Sequence, residues 1–269
     1  MIAHDATGLD AHSALSLHDI VVPFGSRTVL DRVTLDVDAG RFVSVVGPSG
    51  CGKSTLLNVA AGLLTPGGGR VAMFGEPFSG VNRRASYMFQ QDVLLPWKTA
   101  LENVQLGLLF RRLDRRDAHA RAHGWLERVG LRGFENSFPY QLSGGMRKRV
   151  ALAQCWIVDP EVILMDEPFS ALDVHTRLRM EQEILGLWTG SGKTVVFVTH
   201  DLEEAISLSD EVVLLSAGPG SRFAGRYTID LPRPRNLLDM KANAQFHDVY
   251  SRIWSDLRQE VMRSHARRA

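Results

Sequence analysis

Gly47-Pro48-Ser49-Gly50-Cys51-Gly52-Lys53-Ser54 follows the pattern G-x-x-x-x-G-K-[ST] without a mismatch. Phosphate oxygens need many close donors. Glycine lets a backbone curl until successive N–H groups face inward, and a helix starting near Lys53 adds the positive end of its dipole. Lys53 would supply a mobile cation for the β- and γ-phosphates, and the Ser54 hydroxyl is a hard oxygen suited to Mg²⁺. Thr55, next on that helix, belongs to the same set. The plain alternative is a glycine-rich turn with a surface lysine. Its position between a buried strand and a helix start weighs against that.

A second cluster ends the apolar run Val162-Ile163-Leu164-Met165 in two acids, Asp166 and Glu167. Successive strand side chains point to opposite faces, so the two carboxylates need not do one job. Asp166 is placed to hold Mg²⁺ through water, and Glu167 to orient or deprotonate an attacking water. Taken alone, the pair could equally cap the next helix. Ser143 offers a third element: it is a good helix N-cap, and Gly144 and Gly145 leave N–H donors exposed at a positive helix end, a second place for a γ-phosphate.

These groups need elements to hold them. Residues 14–22 and 29–37 alternate apolar and polar side chains, as half-wet strands do. Residues 42–46 read as a buried strand, and Ser54 to Leu64 as a helix ended by Thr65-Pro66-Gly67-Gly68-Gly69. Short strands are expected near 70–74 and 85–89. From Thr99 to Trp156 the spacing is helical, after which strands return at 162–165, 194–198 and 212–215. Strand–helix alternation on both sides of a helical block predicts an α/β domain with a helical insertion. One more amphipathic helix is expected over 243–263.

Composition narrows the function classes. The chain has 269 residues, 45% hydrophobic and 23% charged, with a net charge of +1. That is an ordinary globular balance, with no global basic field for nucleic acid. The arginines at 111, 112, 115, 116, 121, 263, 267 and 268 read as solvated helix faces. Two cysteines make no secreted disulfide framework, and a reducing compartment fits. The N-terminal stretch lacks the basic start and apolar run of a signal peptide, and no run is long enough to span a membrane. Cys51, beside Lys53 and a helix start, is expected to have a lowered thiol pKa, or else to be an inert filler. Cys155 reads as core.

Leu142-Ser143-Gly144-Gly145-Met146 resembles the signature motif of ATP-binding cassette (ABC) ATPases, with methionine where glutamine is usual. The resemblance covers residues 15–229 and orders the remaining motifs. It implies that Gln90, after Phe89, senses metal and attacking water and so joins the metal and catalytic sets. His200, in Thr199-His200-Asp201, would contact the γ-phosphate. Asp173, in Ser170-Ala171-Leu172-Asp173, would link two nucleotide sites across a dimer. Phe24 would stack on adenine, where tyrosine is more usual. The implied fold is an α/β P-loop NTPase (RecA-like) core with an antiparallel β subdomain and an inserted helical subdomain. The ATPase domain would span 15–235, with the insertion at about 92–157 and a helical extension at 236–269.

The implied function is ATP hydrolysis that drives separate membrane permease subunits. ATP and Mg²⁺ would be the cofactors, and two cassettes would pair on ATP binding. Residues 94–99, 102–104, 145–147 and 230–235 resemble the nitrate, sulfonate and taurine importer branch. That implies a peripheral place on the cytoplasmic face of the membrane, a periplasmic or extracellular solute-binding protein in the complex, and no nucleic acid partner. An exporter ATPase, or a soluble cassette acting on ribosomes or DNA, is the alternative.

Overall fold

The computed structural model describes residues 13–240 and 243–266, so the basic residues at 267 and 268 and the first twelve residues lie outside what is described. In chain order, β1 (Ser13–Phe24) and β2 (Arg27–Asp38) form a hairpin, followed by β3 (Phe42–Val46) and α1 (Lys53–Ala60). Next come β4 (Gly68–Met73), β5 (Glu76–Pro77) and β6 (Ala85–Met88). The helices α2 (Ala100–Phe110), α3 (Arg115–Arg128) and α4 (Gly144–Ile157) then intervene before β7 (Val162–Asp166) and α5 (Val174–Trp188). The chain continues with β8 (Thr194–Val198), α6 (Leu202–Leu208), β9 (Glu211–Leu215) and β10 (Phe223–Thr228), and closes with α7 (Leu237–Met240) and α8 (Ala244–Ala266).

Two sheets result. β2-β1-β4-β5 is antiparallel. β10-β9-β3-β8-β7-β6 is parallel except for its edge strand β10. Strands β3, β7 and β8 are buried along their whole length, which explains their predominantly apolar sequences. Their side chains alternate between two cores. Phe42, Val46, Ile163, Met165, Val195 and Phe197 face a core shared with α2–α6 and α8. Val43, Val45, Val162, Leu164, Val196 and Val198 face a second core shared with α1 and the antiparallel sheet. The parallel strands thus carry α1 on one face and the helical block on the other, and their carboxyl ends collect the loops expected to do chemistry.

The local signals explain most element boundaries. Thr99 closes a reciprocal capping box with Glu102 at the start of α2, and Asp114 caps α3. Arg115, Arg116 and Arg121 are exposed on α3, as a solvated helix face should be, whereas Arg111, past the end of α2, donates to the carbonyls of Val158 and Arg83. Helix α1 stops short of the expected Leu64 because Gly62 takes a left-handed conformation (φ +71) beside the carbonyl of Gly80. Strand β10 has no counterpart among the strands expected from sequence: it is an edge strand, mostly not buried, with a register shift between Phe223 and Gly225, and so lacks a hydrophobic alternation.

The segment after β10 is pinned by two arginines. The Arg235 guanidinium donates to the carbonyls of Ile206, Ser207, Ser209, Ile229 and Leu231. Burial lowers its pKa to about 10, which leaves it charged at neutral pH. Arg233 binds Asp210 and the Leu208 carbonyl and lies over the Trp188 ring. Arg235→Met orphans several of those carbonyls. The expected cost is about 2–4 kcal/mol, seen calorimetrically as a thermal midpoint lowered by roughly 4–16 °C for a chain of this size. An unchanged midpoint would show that other donors satisfy the five carbonyls.

Candidate active site

The phosphate loop leaves β3 and enters α1 at Gly52, whose φ of +99 suits glycine alone. A Cβ there would also stand 2.9 Å from Leu30 Cδ2 and Val29 Cγ1. Lys53 is only 6% exposed, and its ammonium donates to the carbonyl oxygens of Gly47 (2.9 Å) and Pro48 (3.2 Å). A buried cation is tolerated only when so partnered. Ser54 Oγ donates to Asp166 Oδ1 at 2.9 Å, and the Tyr87 hydroxyl reaches Asp166 Oδ2 at 3.3 Å. Burial raises the Asp166 carboxyl above its ordinary pKa, and the bonds from Ser54 and Tyr87 and the nearby Lys53 charge offset part of that.

Glu167 follows Asp166 with a left-handed backbone, φ +42, which costs on the order of 1 kcal/mol or more in a non-glycine residue. Its N–H donates to Val198 O of β8 at 2.9 Å, so the neighbouring strand fixes the turn. The side chain then projects to Oε2 contacts with His200 Nδ1 at 2.9 Å and, more weakly, with Gln90 Nε2 at 3.5 Å. Gln90 also lies 3.4 Å from Ser170 Oγ. His200 is set by its neighbours: Asp201 caps α6 through Glu203 and Glu204 N–H groups, and Thr199 Oγ1 donates to Glu204 at 2.6 Å. Gln90, Glu167 and His200 therefore come together at the ends of β6, β7 and β8.

Ser143 and Asp173 lie elsewhere, each as a helix cap. Ser143 Oγ accepts from Met146 N at 3.2 Å, starting α4. Asp173 Oδ1 accepts from His175 and Thr176 N–H at 3.1 and 3.0 Å, starting α5. The two helix starts are adjacent, because a Cβ on Gly145 would meet Thr176 Cγ2 at 2.7 Å. Ser143 is exposed, while Met146 packs against the helical core. Phe24 stands at the tip of the β1–β2 hairpin, 79% exposed. Together with Ser49 and Gly50 it lines a cavity of about 290 Å³ beside the phosphate loop. A larger cavity of about 400 Å³, lined by Arg177, Glu181, Asp201 and Glu204, includes no phosphate-loop residue.

Cys51 corrects one expectation. It is 1% exposed, and burial, the largest influence, raises its thiol pKa despite the opposing charge of Lys53. It packs with the second core as an inert filler. Cys155 is buried core as expected.

Two residues of the site carried no sequence signal. Tyr87 has its role only because β6 lies beside β7. Lys148, on α4, is 3% exposed and donates to the carbonyl of Gln90 at 2.6 Å, while pairing with Asp92 at 3.0 Å. Arg147 binds the other Asp92 oxygen at 3.1 Å. The helix that begins at Ser143 is thereby bolted to the backbone of Gln90.

The residues fit a magnesium-bound polyphosphate. The donors around Ser54 and Asp166 are hard oxygens, which suit Mg²⁺ rather than a soft metal. Among the described residues no group of three or more His, Cys, Asp or Glu could hold a metal alone. That is compatible with an ion held by one or two protein oxygens plus phosphate.

Comparisons with known proteins show the family. The profile of the ABC transporter family matches residues 30–170. An uncharacterized ABC transporter ATP-binding protein of Methanocaldococcus jannaschii is 44% identical over 241 residues, covering 89% of this chain and 88% of the relative. The taurine import ATP-binding protein TauB of Yersinia pestis is 39% identical over 247 residues, covering 89% of this chain and 97% of the relative. Among solved structures, the dimeric bacterial ABC transporter cassette MJ0796 superposes with a TM-score of 0.72 at 33% identity, covering 81% of this chain and 100% of that one. The same cassette in a post-hydrolysis state bound to ADP and Pi gives 0.71 at 33% identity with the same coverage.

Proposed function

This chain belongs to the ABC transporter family and is an ATPase of that family; from that premise we propose that it powers import of a small solute through separate membrane permease subunits. The solute class we propose is nitrate-, sulfonate- or taurine-like. The observation that carries this reading is the match to the taurine import protein along 97% of that relative's length. The Leu94–Thr99 and Asp230–Arg235 segments support it. No helix among the described residues is long and apolar enough to cross a membrane.

The chemistry we assign rests on the family resemblance, and the geometry of the site supports it. Backbone amides of the Gly47–Thr55 loop would bind the triphosphate, and Lys53 would turn its ammonium toward the β- and γ-phosphates. Ser54, Asp166 and Gln90 would hold Mg²⁺, which would supply charge neutralisation for the phosphates. Glu167 orients a water in line with the γ-phosphate and accepts its proton. His200, hydrogen-bonded to that carboxylate, donates to the γ-phosphate as charge develops. Two copies pair so that Ser143, Gly144 and Gly145 of one close over the nucleotide of the other, with Asp173 at the seam. The paired copies would sit on the cytoplasmic side of the permease, with a solute-binding protein opposite.

Uptake of radiolabelled taurine, an alkanesulfonate and nitrate, compared in cells with and without a functional copy of this gene, tests the proposal. Loss of uptake of one of the three is expected. Unchanged uptake of all three would reject the solute class. A second test concerns Lys148, which holds Gln90 through its carbonyl. Lys148→Met is expected to slow ATP turnover about 10–100-fold by misplacing Gln90, with little change in ATP affinity. Turnover equal to wild type in a phosphate-release assay would mean that Gln90 is positioned without that bond.

A further inference from the structure

Helix α8 has a buried stripe at Ile253, Leu257, Glu260 and Ser264, the spacing of one helix face. Ile253 and Leu257 enter the helical core. Asp256, beside the stripe, accepts the Tyr227 hydroxyl of β10 at 2.6 Å. Glu260, 5% exposed, accepts the N–H of Ala217 at 2.8 Å. That loop between β9 and β10 lies directly on the phosphate loop. A Cβ built on Gly218 would stand 3.5 Å from Gly50 O and 3.6 Å from Cys51 Cα. Ser264 is the last residue of the stripe, 9% exposed, and lines the same 290 Å³ cavity as Phe24, Ser49, Gly50 and Pro219.

We propose that Ser264 is a nucleotide-contacting residue, and that α8 forms the wall of the pocket that receives the nucleoside end of ATP. The proposal rests on the nucleotide reading above and adds the part of the chain that closes the pocket. The cavity is the size of a small-ligand site, about 300 Å³. On one side it has the exposed ring of Phe24, a stacking surface. Ser264 brings a hydroxyl, donor and acceptor at once, suited to a ribose hydroxyl or a base edge. The buried Glu260 carboxylate fixes the height of the helix above the loop, so the wall does not depend on α8's exposed face.

The test is calorimetric binding of Mg-ATP and of inorganic tripolyphosphate to the full chain and to Ser264 variants. Tripolyphosphate occupies the phosphate loop but has no nucleoside. Ser264→Phe fills the cavity and is expected to weaken ATP binding about tenfold or more, with tripolyphosphate within about twofold of wild type. ATP affinity unchanged in that variant would overturn the proposal. If Ser264→Phe weakens both ligands equally, Ser264→Ala decides. A loss of about 2–10-fold for ATP alone, the worth of one hydrogen bond, supports the contact. No loss for ATP overturns it. Wild-type protein that bound neither ligand would instead remove the nucleotide reading itself.

Discussion

Glu167→Gln lowers steady-state ATP hydrolysis by about 10²–10⁴-fold, the usual worth of a general base, and leaves ATP binding intact. The substitution is nearly isosteric, and the structure indicates that the turn will keep its shape. The backbone N–H stays bonded to Val198 O, and the amide oxygen of glutamine can still accept from His200. What is lost is the carboxylate's ability to take a proton from water. Phosphate release and binding of a fluorescent ATP analogue, measured on the same preparation, separate the two effects. Turnover near the wild-type rate would remove Glu167 from the role of base. Because the variant should hold ATP without consuming it, sizing it with bound nucleotide also tests pairing. A monomer under those conditions would sink the two-copy arrangement around Ser143.

Asp166→Asn acts on the metal rather than on the water. In the structure Asp166 is an acceptor on both oxygens, from Ser54 Oγ and from the Tyr87 hydroxyl. Asparagine can keep the Ser54 bond through its oxygen and offer its amide to Tyr87, whose hydroxyl can accept as well as donate. The fold should survive, since no buried group is left without a partner. The negative charge is gone, however, and with it the attraction for a divalent ion. The Mg²⁺ concentration giving half-maximal hydrolysis is expected to rise about 10–100-fold, the range for losing an orienting partner of a metal site. Titrating Mg²⁺ at saturating ATP checks this. A curve superimposable on wild type would move the metal away from Asp166.

Whatever was written locally along the chain was readable. The phosphate loop declares itself in consecutive residues, and Asp166 and Glu167 follow a strand whose apolar run is uninterrupted. The strands at 42–46, 162–165 and 194–198 are legible for the same reason: burial on both faces keeps all but Ser44 and Thr194 apolar. That Gln90, Glu167 and His200 meet was an expectation of family resemblance, since nothing in their spacing brings residues so far apart together. Parallel pairing of β6, β7 and β8 does so.

Tyr87 and Lys148 carry no signal of their own in the sequence, and Arg235 is visible there only as part of the 230–235 segment, because what each of them does is tertiary. Each looks like an ordinary strand or surface residue until a neighbour removes its solvent. Cys51 shows the opposite error. Lys53 and a helix start are visible in sequence and argue for a reactive thiol, but the closeness of the second core is not visible, and burial dominates.

Strand β3 carries the phosphate loop, yet its ladder partner β8 pairs residues 195–198 with residues 42–45. On the ribosome the loop therefore emerges long before the strand that braces it. At about 5–20 residues per second, the interval between the two is roughly 8–30 s. During that time the glycine-rich loop lacks the strand β8 that braces β3. Nucleotide capture is thus a late event in the life of the nascent polypeptide. A synonymous codon change that slows synthesis between β7 and β8 would lengthen the period in which the apolar strands β3 and β7 are exposed, and chaperones would meet the chain there first.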